Sequence, residues 1–264
     1  MLGLALSGGA ARGSWQAGKV AALCRPWEIV AGVSVGAVNA AHLAQYPVGK
    51  EPEALLGLHK MWHELRTKDV HRRWFPFGQL HALWKAGVRD LSPLRQFLTH
   101  HLSPERIAGS GRKLRIGAVA CATGLWKEWT EADSALVVDA VMASAAIPYV
   151  FEPQLVDGVA YFDGGVRSVA PVESLMDAGC DEIDSIVCSP LHPKANKRFS
   201  NALEAGLASV DIMTDQITND DLRVCVPGGG LFVYRPDRDL GDSLDFEPET
   251  NAWRWALGAT GRLP

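Results

Sequence analysis

Two glycine-rich turns close to the start of the chain place the strongest constraint on its fold. The first, residues 8–13 (Gly-Gly-Ala-Ala-Arg-Gly), follows the apolar run at residues 2–6, and the second, residues 32–36 (Gly-Val-Ser-Val-Gly), follows the apolar run at residues 29–31. Each stretch predicts a strand, a tight turn and a helix in that order. Because repeated units of this kind are typical of parallel sheets covered by helices, the two turns predict an α/β fold.

Strand-like and helix-like segments alternate through the N-terminal third of the chain and again near its end, which favours a mostly parallel sheet. The predicted strands lie near residues 2–7, 28–33, 113–121, 182–188 and 221–226. The predicted helices lie near residues 13–24, 35–45, 53–65, 92–101, 133–145, 171–178, 199–217 and 247–257. A hydrophobic content of 47% in 264 residues is enough for one large core, so a single domain over residues 1–264 is predicted.

The composition argues against several classes of protein. The formal net charge of -4 offers no basic excess for a nucleic-acid partner. The five cysteines are odd in number and form no Cys-x-x-Cys pair, which is typical of buried thiols in a reducing compartment. The sequence contains no signal-peptide pattern and no apolar run long enough to span a bilayer, so a cytoplasmic location is expected.

Ser34 lies at the centre of the second turn and is a candidate nucleophile. In a Gly-x-Ser-x-Gly sequence between a strand and a helix, the two glycines, here Gly32 and Gly36, let the strand and the helix approach closely and hold the serine on a strained turn. A glycine-rich turn that opens a helix offers backbone N–H groups to a negative charge, as the oxyanion of an acyl-transfer reaction requires. The first turn is therefore a candidate oxyanion hole.

A candidate catalytic carboxylate follows a predicted hairpin. Asp157 and Gly158 lie between two short strand-like stretches, and both residue types tolerate the positive φ of a two-residue hairpin turn. The returning strand ends at Asp163, which is followed by Gly164 and Gly165. Because glycines have no side chain, another group can approach the Asp163 carboxylate closely at this strand end.

Residues 59–90 combine aromatic and basic side chains, and the surrounding residues 47–100 are a candidate lid or membrane-contact region. Aromatic rings favour the boundary of a lipid bilayer, where basic groups meet phosphate. The alternative interpretation is that the tryptophans fill a core beneath a long loop while the charges are solvated. The aromatic residues are Trp62, Trp74, Phe75, Phe77 and Trp84, and the basic residues are Lys60, Arg66, Lys68, Arg72, Arg73, Lys85 and Arg89.

In their order along the chain, these motifs resemble those of the patatin-like phospholipase family, a group of serine acyl hydrolases with a Ser-Asp dyad. The resemblance extends to the opening at residues 6–18, the Ala-Ser-Ala-Ala-Ile-Pro segment at residues 143–148 and the tail at residues 239–246. It covers almost the whole chain and implies a three-layer α/β/α fold with a central, mostly parallel sheet. Two positions differ from the family pattern: Ala10 stands where a third glycine is common, and residues 168–171 (Ser-Val-Ala-Pro) stand where many members have Asn-x-Pro.

The resemblance implies a role for each motif. Ser34 is expected to be the nucleophile and Asp163 its general base. The oxyanion hole is expected to consist of N–H groups around Gly8, Gly9 and Ala10, with Arg12 lending positive charge. Because an ordinary aspartate is a poor base at neutral pH, Asp163 would need to be partly desolvated and hydrogen-bonded to the serine. The implied substrates are phospholipids, lysophospholipids or related acyl esters, reached by peripheral membrane contact, and no cofactor or metal is implied.

Two alternatives use the same residues. Ser34, Asp163 and His192 follow one another in the chain order of an α/β-hydrolase triad, although only about one strand precedes that of the nucleophile and no His-Gly-Gly oxyanion motif is present. The second alternative is a non-catalytic, membrane-associated binding protein.

Nucleotide and metal binding are disfavoured by the spacing of the residues that they require. Ser14 and Trp15 stand where a phosphate-binding P-loop needs lysine followed by serine or threonine. His59 and His63 have the i, i+4 spacing of metal ligands on a helix, but the sequence after His63 lacks the second histidine of His-Glu-x-x-His.

Overall fold

The structure is a computed structural model that describes residues 1–73, 86–191, 202–224, 226 and 230–260. Its strands are β1 (Leu2–Leu6), β2 (Ile29–Val33), β3 (Arg72–Arg73), β4 (Arg89–Asp90), β5 (Lys113–Ala120), β6 (Trp126–Thr130), β7 (Gln154–Val156), β8 (Val159–Asp163), β9 (Glu182–Ile186) and β10 (Gly230–Tyr234). Its α-helices are α1 (Gly13–Leu23), α2 (Val35–Ala44), α3 (Glu51–Glu64), α4 (Thr67–Val70), α5 (Ser92–His101), α6 (Pro104–Ser110), α7 (Val137–Ser144), α8 (Val172–Asp177), α9 (Ala202–Asp221) and α10 (Pro248–Thr260). Short 3-10 segments cover Ala10–Arg12, Glu131–Leu136 and Gly164–Val166.

Within the described residues, eight strands form one sheet in the order β10-β9-β1-β2-β5-β8-β7, with β6 also paired to β5. The pairs from β10 through β9, β1 and β2 to β5 are parallel, whereas β5–β6, β5–β8 and β7–β8 are antiparallel. β6 occupies one edge of β5. On the other edge, β2 pairs with residues 113–117 and β8 with residues 118–120. The prediction of an α/β fold with a mostly parallel sheet is confirmed.

Helices cover both faces of the sheet. The side chains of the central strands point alternately to the two faces, so each face carries an apolar core that helices cover. Leu4, Leu6 and Val30 belong to the larger core, which α1, α2, α3, α7 and α10 share. Ala5 and Ile29 belong to the smaller core on the other face, which α8 covers. This period of two along each strand is the property that places a sheet between two helical layers. The three-layer arrangement that the family resemblance implies is therefore present.

The predicted strand near residues 221–226 is wrong. α9 continues to Asp221, and the edge strand that pairs with β9 is β10, further along the chain. An apolar run that covers a core from a loop has the same composition as a short strand, so the two are not distinguished by sequence pattern alone. The residues of this run that pack against the smaller core are Leu222, Val224 and Val226.

Residues 47–100 contain α3, α4, α5 and the separate strand pair β3–β4. Trp62 is buried in the larger core, and its indole N–H donates to Asn39 Oδ1 at 2.8 Å. Trp62 therefore fits the alternative prediction that a tryptophan of this region fills the core. Arg72 and Arg73 are exposed. Trp74, Phe75, Phe77, Trp84 and Lys85 lie outside the described residues.

Within the described part of the chain, no helix is both long enough and apolar enough to cross a bilayer.

Candidate active site

Ser34 lies on a sharp turn between β2 and α2. Its backbone has φ 56° and ψ -125°, a strained conformation for a residue with a side chain. The flanking glycines make the turn possible because other backbone atoms approach them closely. A Cβ on Gly32 would lie 2.1 Å from the carbonyl oxygen of Gly36, and a Cβ on Gly36 would lie 2.0 Å from that of Leu6. The Gly-x-Ser-x-Gly sequence thus folds as the strained elbow that its spacing predicts.

Ser144, at the end of α7, links this elbow to strand β5 by hydrogen bonds. The Ser34 N–H donates to the Ser144 hydroxyl at 2.9 Å, and that hydroxyl donates to the carbonyl oxygen of Gly117 in β5 at 2.7 Å. The Ser144 side chain is fully buried. It therefore satisfies one donor and one acceptor that no water reaches. Sequence reasoning did not assign this role; the only signal was the position of Ser144 within the Ala-Ser-Ala-Ala-Ile-Pro segment.

Asp163 reaches Ser34 because β2 and β8 pair with consecutive residues of β5. Val33, which precedes Ser34, pairs with Gly117, and Asp163 pairs with Ala118. The two candidate side chains are therefore brought to the same level of the sheet. The Ser34 hydroxyl lies close enough to the Asp163 carboxylate to lower the pKa of that group, and both residues are 5% exposed.

The Asp163 carboxylate has few partners and little contact with water. Its Oδ1 accepts the Gly165 N–H at 2.7 Å, and its own backbone N–H donates to Ala146 at 2.9 Å. Burial raises the pKa of Asp163 from 3.8 to about 7, although the nearby Ser34 hydroxyl and the hydrogen bond from the Gly165 N–H oppose this rise. A carboxylate with a pKa near 7 can accept and return a proton at neutral pH, which is the property a general base requires.

The first glycine turn lies directly beside the nucleophile elbow. A Cβ on Gly8 would lie 3.4 Å from the Ser34 Cβ. The Gly8 N–H already donates to the Val169 carbonyl at 3.1 Å. Among the described residues, by contrast, no acceptor contacts the N–H groups of Gly9 and Ala10. Ala10 has φ 49°, so the turn accommodates a Cβ where the family commonly has glycine. Gly9 and Ala10 are therefore the better-placed donors for an oxyanion.

Arg12 is attached to the loop that precedes α10. Its guanidinium donates to the Gly241 carbonyl from Nη2 at 3.3 Å and from Nε at 3.4 Å. The side chain is partly exposed. Its positive charge therefore lies at the glycine turn, in a position fixed by a residue far along the chain.

Asp221 holds the segment that follows the Asp-Gly-Gly sequence. Its Oδ2 accepts the N–H groups of Val169 at 2.7 Å and Ala170 at 2.8 Å, and the Ser168 hydroxyl at 3.3 Å. The Val169 carbonyl in turn accepts the Gly8 N–H. Asp221 therefore supports the segment where this chain departs from the Asn-x-Pro pattern. Sequence reasoning missed it, because an aspartate at the end of a long helix carries no motif.

An apolar pocket opens at Ser34 on the side of the larger core. Its interior offers about 40 Å³ to a water-sized molecule, and the cleft reaches about 520 Å³ only when the open solvent at its mouth is included. Every lining residue apart from Ser34 has an apolar side chain or the largely apolar ring of tryptophan. The lining residues are Ala10, Ser34, Val35, Val38, Trp62, Leu65, Val70, Leu91, Leu94, Phe97, Ala145, Ile147, Phe151, Leu244 and Phe246. An apolar lining of this kind suits contact with a hydrocarbon chain.

The third member of the alternative triad, His192, lies outside the described residues. The structure thus brings together Ser34, Asp163 and the glycine turn. It gives no position for His192 relative to them.

Comparison with known proteins gives a family for the chain. A family model described as patatin-like phospholipase matches residues 4–176, more than half of the chain. No curated protein matches it. Among solved structures, the crystal structure of VipD from Legionella pneumophila has 14% sequence identity and a TM-score of 0.47, and the match covers 97% of this chain and 65% of that one. The chain thus spans less than two thirds of the length of VipD. On the family match, the chain belongs to the patatin-like phospholipase family, whose members are lipid acyl hydrolases.

Proposed function

We propose that this protein is a serine lipid acyl hydrolase that cleaves acyl esters of phospholipids or lysophospholipids through an acyl-enzyme intermediate. The observation that carries the proposal is the proximity of the Ser34 hydroxyl to the buried Asp163 carboxylate, at the mouth of an apolar pocket. Membership of the family makes ester hydrolysis the chemistry to expect. The pocket supports an acyl chain as the part of the substrate that enters the protein.

In the proposed reaction, the Asp163 carboxylate accepts the proton of the Ser34 hydroxyl as Oγ attacks the carbonyl carbon of the ester. The tetrahedral intermediate collapses, the ester C–O bond breaks, and Asp163 returns the proton to the departing alcohol. A water molecule then gives a proton to Asp163 and attacks the acyl-enzyme. The fatty acid leaves, and the proton returns to Ser34. The pKa of about 7 supports this alternation between base and acid.

Negative charge develops on the carbonyl oxygen during both attacks. The N–H groups of Gly9 and Ala10, together with the turn at Gly8, are proposed as the oxyanion hole, with Arg12 contributing positive charge. Their support is the position of the turn beside Ser34. Each donor of this kind contributes about 10²–10³-fold to turnover.

Labelling and lipid analysis test the proposal together. The wild type is expected to react with a fluorophosphonate and to release fatty acid from a defined panel of phospholipids and lysophospholipids, measured by mass spectrometry. Ser34→Ala is expected to lose labelling and to lower the rate of release by more than about 10⁴-fold. Ser185→Ala, at another fully buried serine, is the matched control and is expected to retain both. Fatty-acid release by Ser34→Ala at the wild-type rate would contradict the proposal.

The alternatives predict different results in the same assays. An α/β-hydrolase triad requires His192, so His192→Ala would abolish its hydrolysis, whereas a Ser-Asp dyad tolerates the change. A non-catalytic binding protein would not be labelled at Ser34.

Peripheral membrane contact through residues 47–100 is a separate part of the proposal. Its support is the exposed pair Arg72 and Arg73 on a strand whose partner leads into α5, a helix that lines the pocket. We expect the double variant Arg72→Gln/Arg73→Gln to co-sediment less with vesicles of anionic phospholipid than the wild type does. Unchanged co-sedimentation of this variant would count against membrane contact at these residues.

A further inference from the structure

Arg254 in α10 is fully buried, and it lies outside the sequence motifs described above. Within the described residues, its guanidinium donates four hydrogen bonds, and all four acceptors are backbone carbonyl oxygens. Nε donates to Leu240 at 2.9 Å and Nη2 to Asp242 at 2.6 Å. Nη1 donates to Asp245 at 2.7 Å and to Ala11 at 3.3 Å. A guanidinium can serve this many acceptors at once because its donors are fixed in one plane.

These hydrogen bonds join two separate parts of the chain. Three acceptors belong to the loop of residues 239–246, and the fourth, Ala11, belongs to the glycine turn. The same turn meets this loop at two further points. The Ala11 N–H donates to the Ser243 carbonyl at 2.9 Å, and the Arg12 guanidinium donates to Gly241. The Ala11 N–H is therefore bonded directly to the loop, whereas the Ala11 carbonyl is bonded to Arg254 and also accepts the Ser14 hydroxyl at 3.1 Å.

The conformation of the turn makes this attachment important for the reaction. Ala10 opens the short 3-10 segment with a positive φ, and Gly9 before it has φ 160° and ψ 9°, so neither residue has the backbone conformation of a regular helix or strand. The N–H groups proposed for the oxyanion hole belong to these two residues. The peptide groups that carry these two N–H groups are held through their carbonyls, because the Gly8 carbonyl accepts the Ser7 hydroxyl at 2.8 Å and the Gly9 carbonyl accepts the Arg12 N–H at 3.1 Å. Ala11, the next residue, is the point at which the backbone of the turn is bonded to the C-terminal part of the chain.

Arg254 is itself held rigidly, because α10 crosses α1 at close range. A Cβ on Gly18 of α1 would lie 2.2 Å from the Trp255 carbonyl oxygen, and a Cβ on Gly258 of α10 would lie 2.1 Å from that of Trp15. The two helices thus pack backbone against backbone. Because α10 is held in this way, the Arg254 guanidinium has a fixed position relative to the carbonyls that it binds.

We propose that Arg254 is a positioning residue that fixes the geometry of the glycine turn (residues 8–13) from helix α10. It acts through the Ala11 carbonyl and through the loop of residues 239–246. The same loop also carries Leu244 and Phe246 into the wall of the apolar pocket. The inference rests on the proposed hydrolase function, and it concerns residues outside the matched range 4–176.

Arg112 offers a matched control for the experiment. It is as deeply buried as Arg254, and it also makes four hydrogen bonds, three of them to the carbonyls of Tyr46, Trp27 and Pro47 and one to Glu51. It lies just before β5, at the end of the sheet opposite to the Ser34 elbow. Loss of Arg112 therefore disturbs a comparable set of buried bonds without reaching the oxyanion turn.

The experiment compares Arg254→Lys and Arg254→Met with Arg112→Lys and Arg112→Met in the full chain. For each protein, kcat and KM for a short-chain p-nitrophenyl ester are measured per folded molecule, with folding followed by circular dichroism and thermal unfolding. We expect all four variants to lower the unfolding midpoint. Only the Arg254 pair is expected to lose kcat, by about 10- to 100-fold, with KM within about threefold, because misplaced donors weaken the transition state. Lysine retains the charge but not the planar fork, so it is not expected to restore kcat.

The outcomes separate this inference from the proposed function. Equal kcat per folded molecule in the Arg254 and Arg112 variants would overturn the inference, and so would wild-type kcat in Arg254→Lys. If Arg254→Met does not fold, the comparison between the two lysine variants decides the question. Failure of the wild type itself to hydrolyse esters or to be labelled at Ser34 would instead refute the proposed function.

Discussion

Replacing Asp163 with asparagine is expected to stabilise the fold at alkaline pH while it abolishes ester hydrolysis. The cause is the buried carboxylate, whose pKa burial raises from 3.8 to about 7. This rise corresponds to up to about 4 kcal/mol of unfavourable free energy when the group is ionised in the folded state. Asparagine has nearly the same shape and keeps an acceptor for the Gly165 N–H, but it carries no charge.

The sign follows from the difference between the folded and unfolded states. Between pH 3.8 and about 7 the folded protein holds the Asp163 proton more tightly than the unfolded chain does, so the contribution of Asp163 to the free energy of unfolding falls as the pH rises through this window. Above this window the loss is complete and constant. The catalytic rate is expected to change in the opposite direction, because the base must be ionised. In the wild type, kcat/KM should therefore rise with pH through about 7.

Urea unfolding followed by tryptophan fluorescence provides the assay, at pH values from 4 to 8. The difference in unfolding free energy between Asp163→Asn and wild type is expected to grow by up to about 4 kcal/mol in favour of the variant across this range. Asp157→Asn, the same change at the exposed hairpin turn, is the control. A difference that stays constant with pH would refute the reasoning, as would a wild-type kcat/KM that does not change between pH 6 and 8.

Three further changes test the elbow and the core. Ser144→Ala should lower the unfolding free energy by about 2–4 kcal/mol, because it removes the partner of the Ser34 N–H and of the Gly117 carbonyl. As a control, Ser185→Ala should change the unfolding free energy by less than about 0.5 kcal/mol, because the Ser185 hydroxyl has no partner in the described residues. Gly36→Ala would place a Cβ 2.0 Å from the Leu6 carbonyl oxygen of β1, so it should distort the elbow and abolish fluorophosphonate labelling. Gly109→Ala, where a Cβ would meet open space, is the control and should leave the labelling unchanged. Burial lowers the pKa of His42 to about 4, so the contribution of this group to stability should fall by up to about 3 kcal/mol from pH 6.5 to 4, opposite in sign to that of Asp163. In a denaturation series, the difference in unfolding free energy between His42→Gln and wild type should grow by that amount in favour of the variant across this window.

The local features of the site could be predicted from sequence because each depends on a short run of residues. The elbow follows from two glycines around one serine, and the hairpin before Asp163 follows from Asp157 and Gly158, which have φ 49° and 78° in the structure. Both are requirements of the backbone on particular residue types. The contact between Ser34 and Asp163 is different. It depends on the register of two strands against β5, which the family resemblance implied and the motifs alone did not.

The supporting residues could not be predicted because their partners are mostly backbone groups of distant segments. Ser144, Asp221 and Arg254 bind carbonyl or N–H groups, which every residue possesses, so their own neighbours in sequence give no signal. The hydrogen bond of the Gly8 N–H could not be predicted for the same reason, because its acceptor, the Val169 carbonyl, lies in a segment that only tertiary packing brings near. The error at residues 221–226 is related, because two neighbouring apolar runs compete for the sheet edge and the end of α9 decides which one joins it.

The hydrogen bond from Arg254 to Ala11 spans 243 positions, and this distance has a consequence for biosynthesis. A ribosome releases the glycine turn early, but the arginine that fixes it emerges only with α10. Contacts of such long range also slow folding, since a large loop of chain must close before they form. A nascent chain in which α10 has not yet emerged is therefore expected to carry Ser34 and the glycine turn without the bond that Arg254 makes to Ala11.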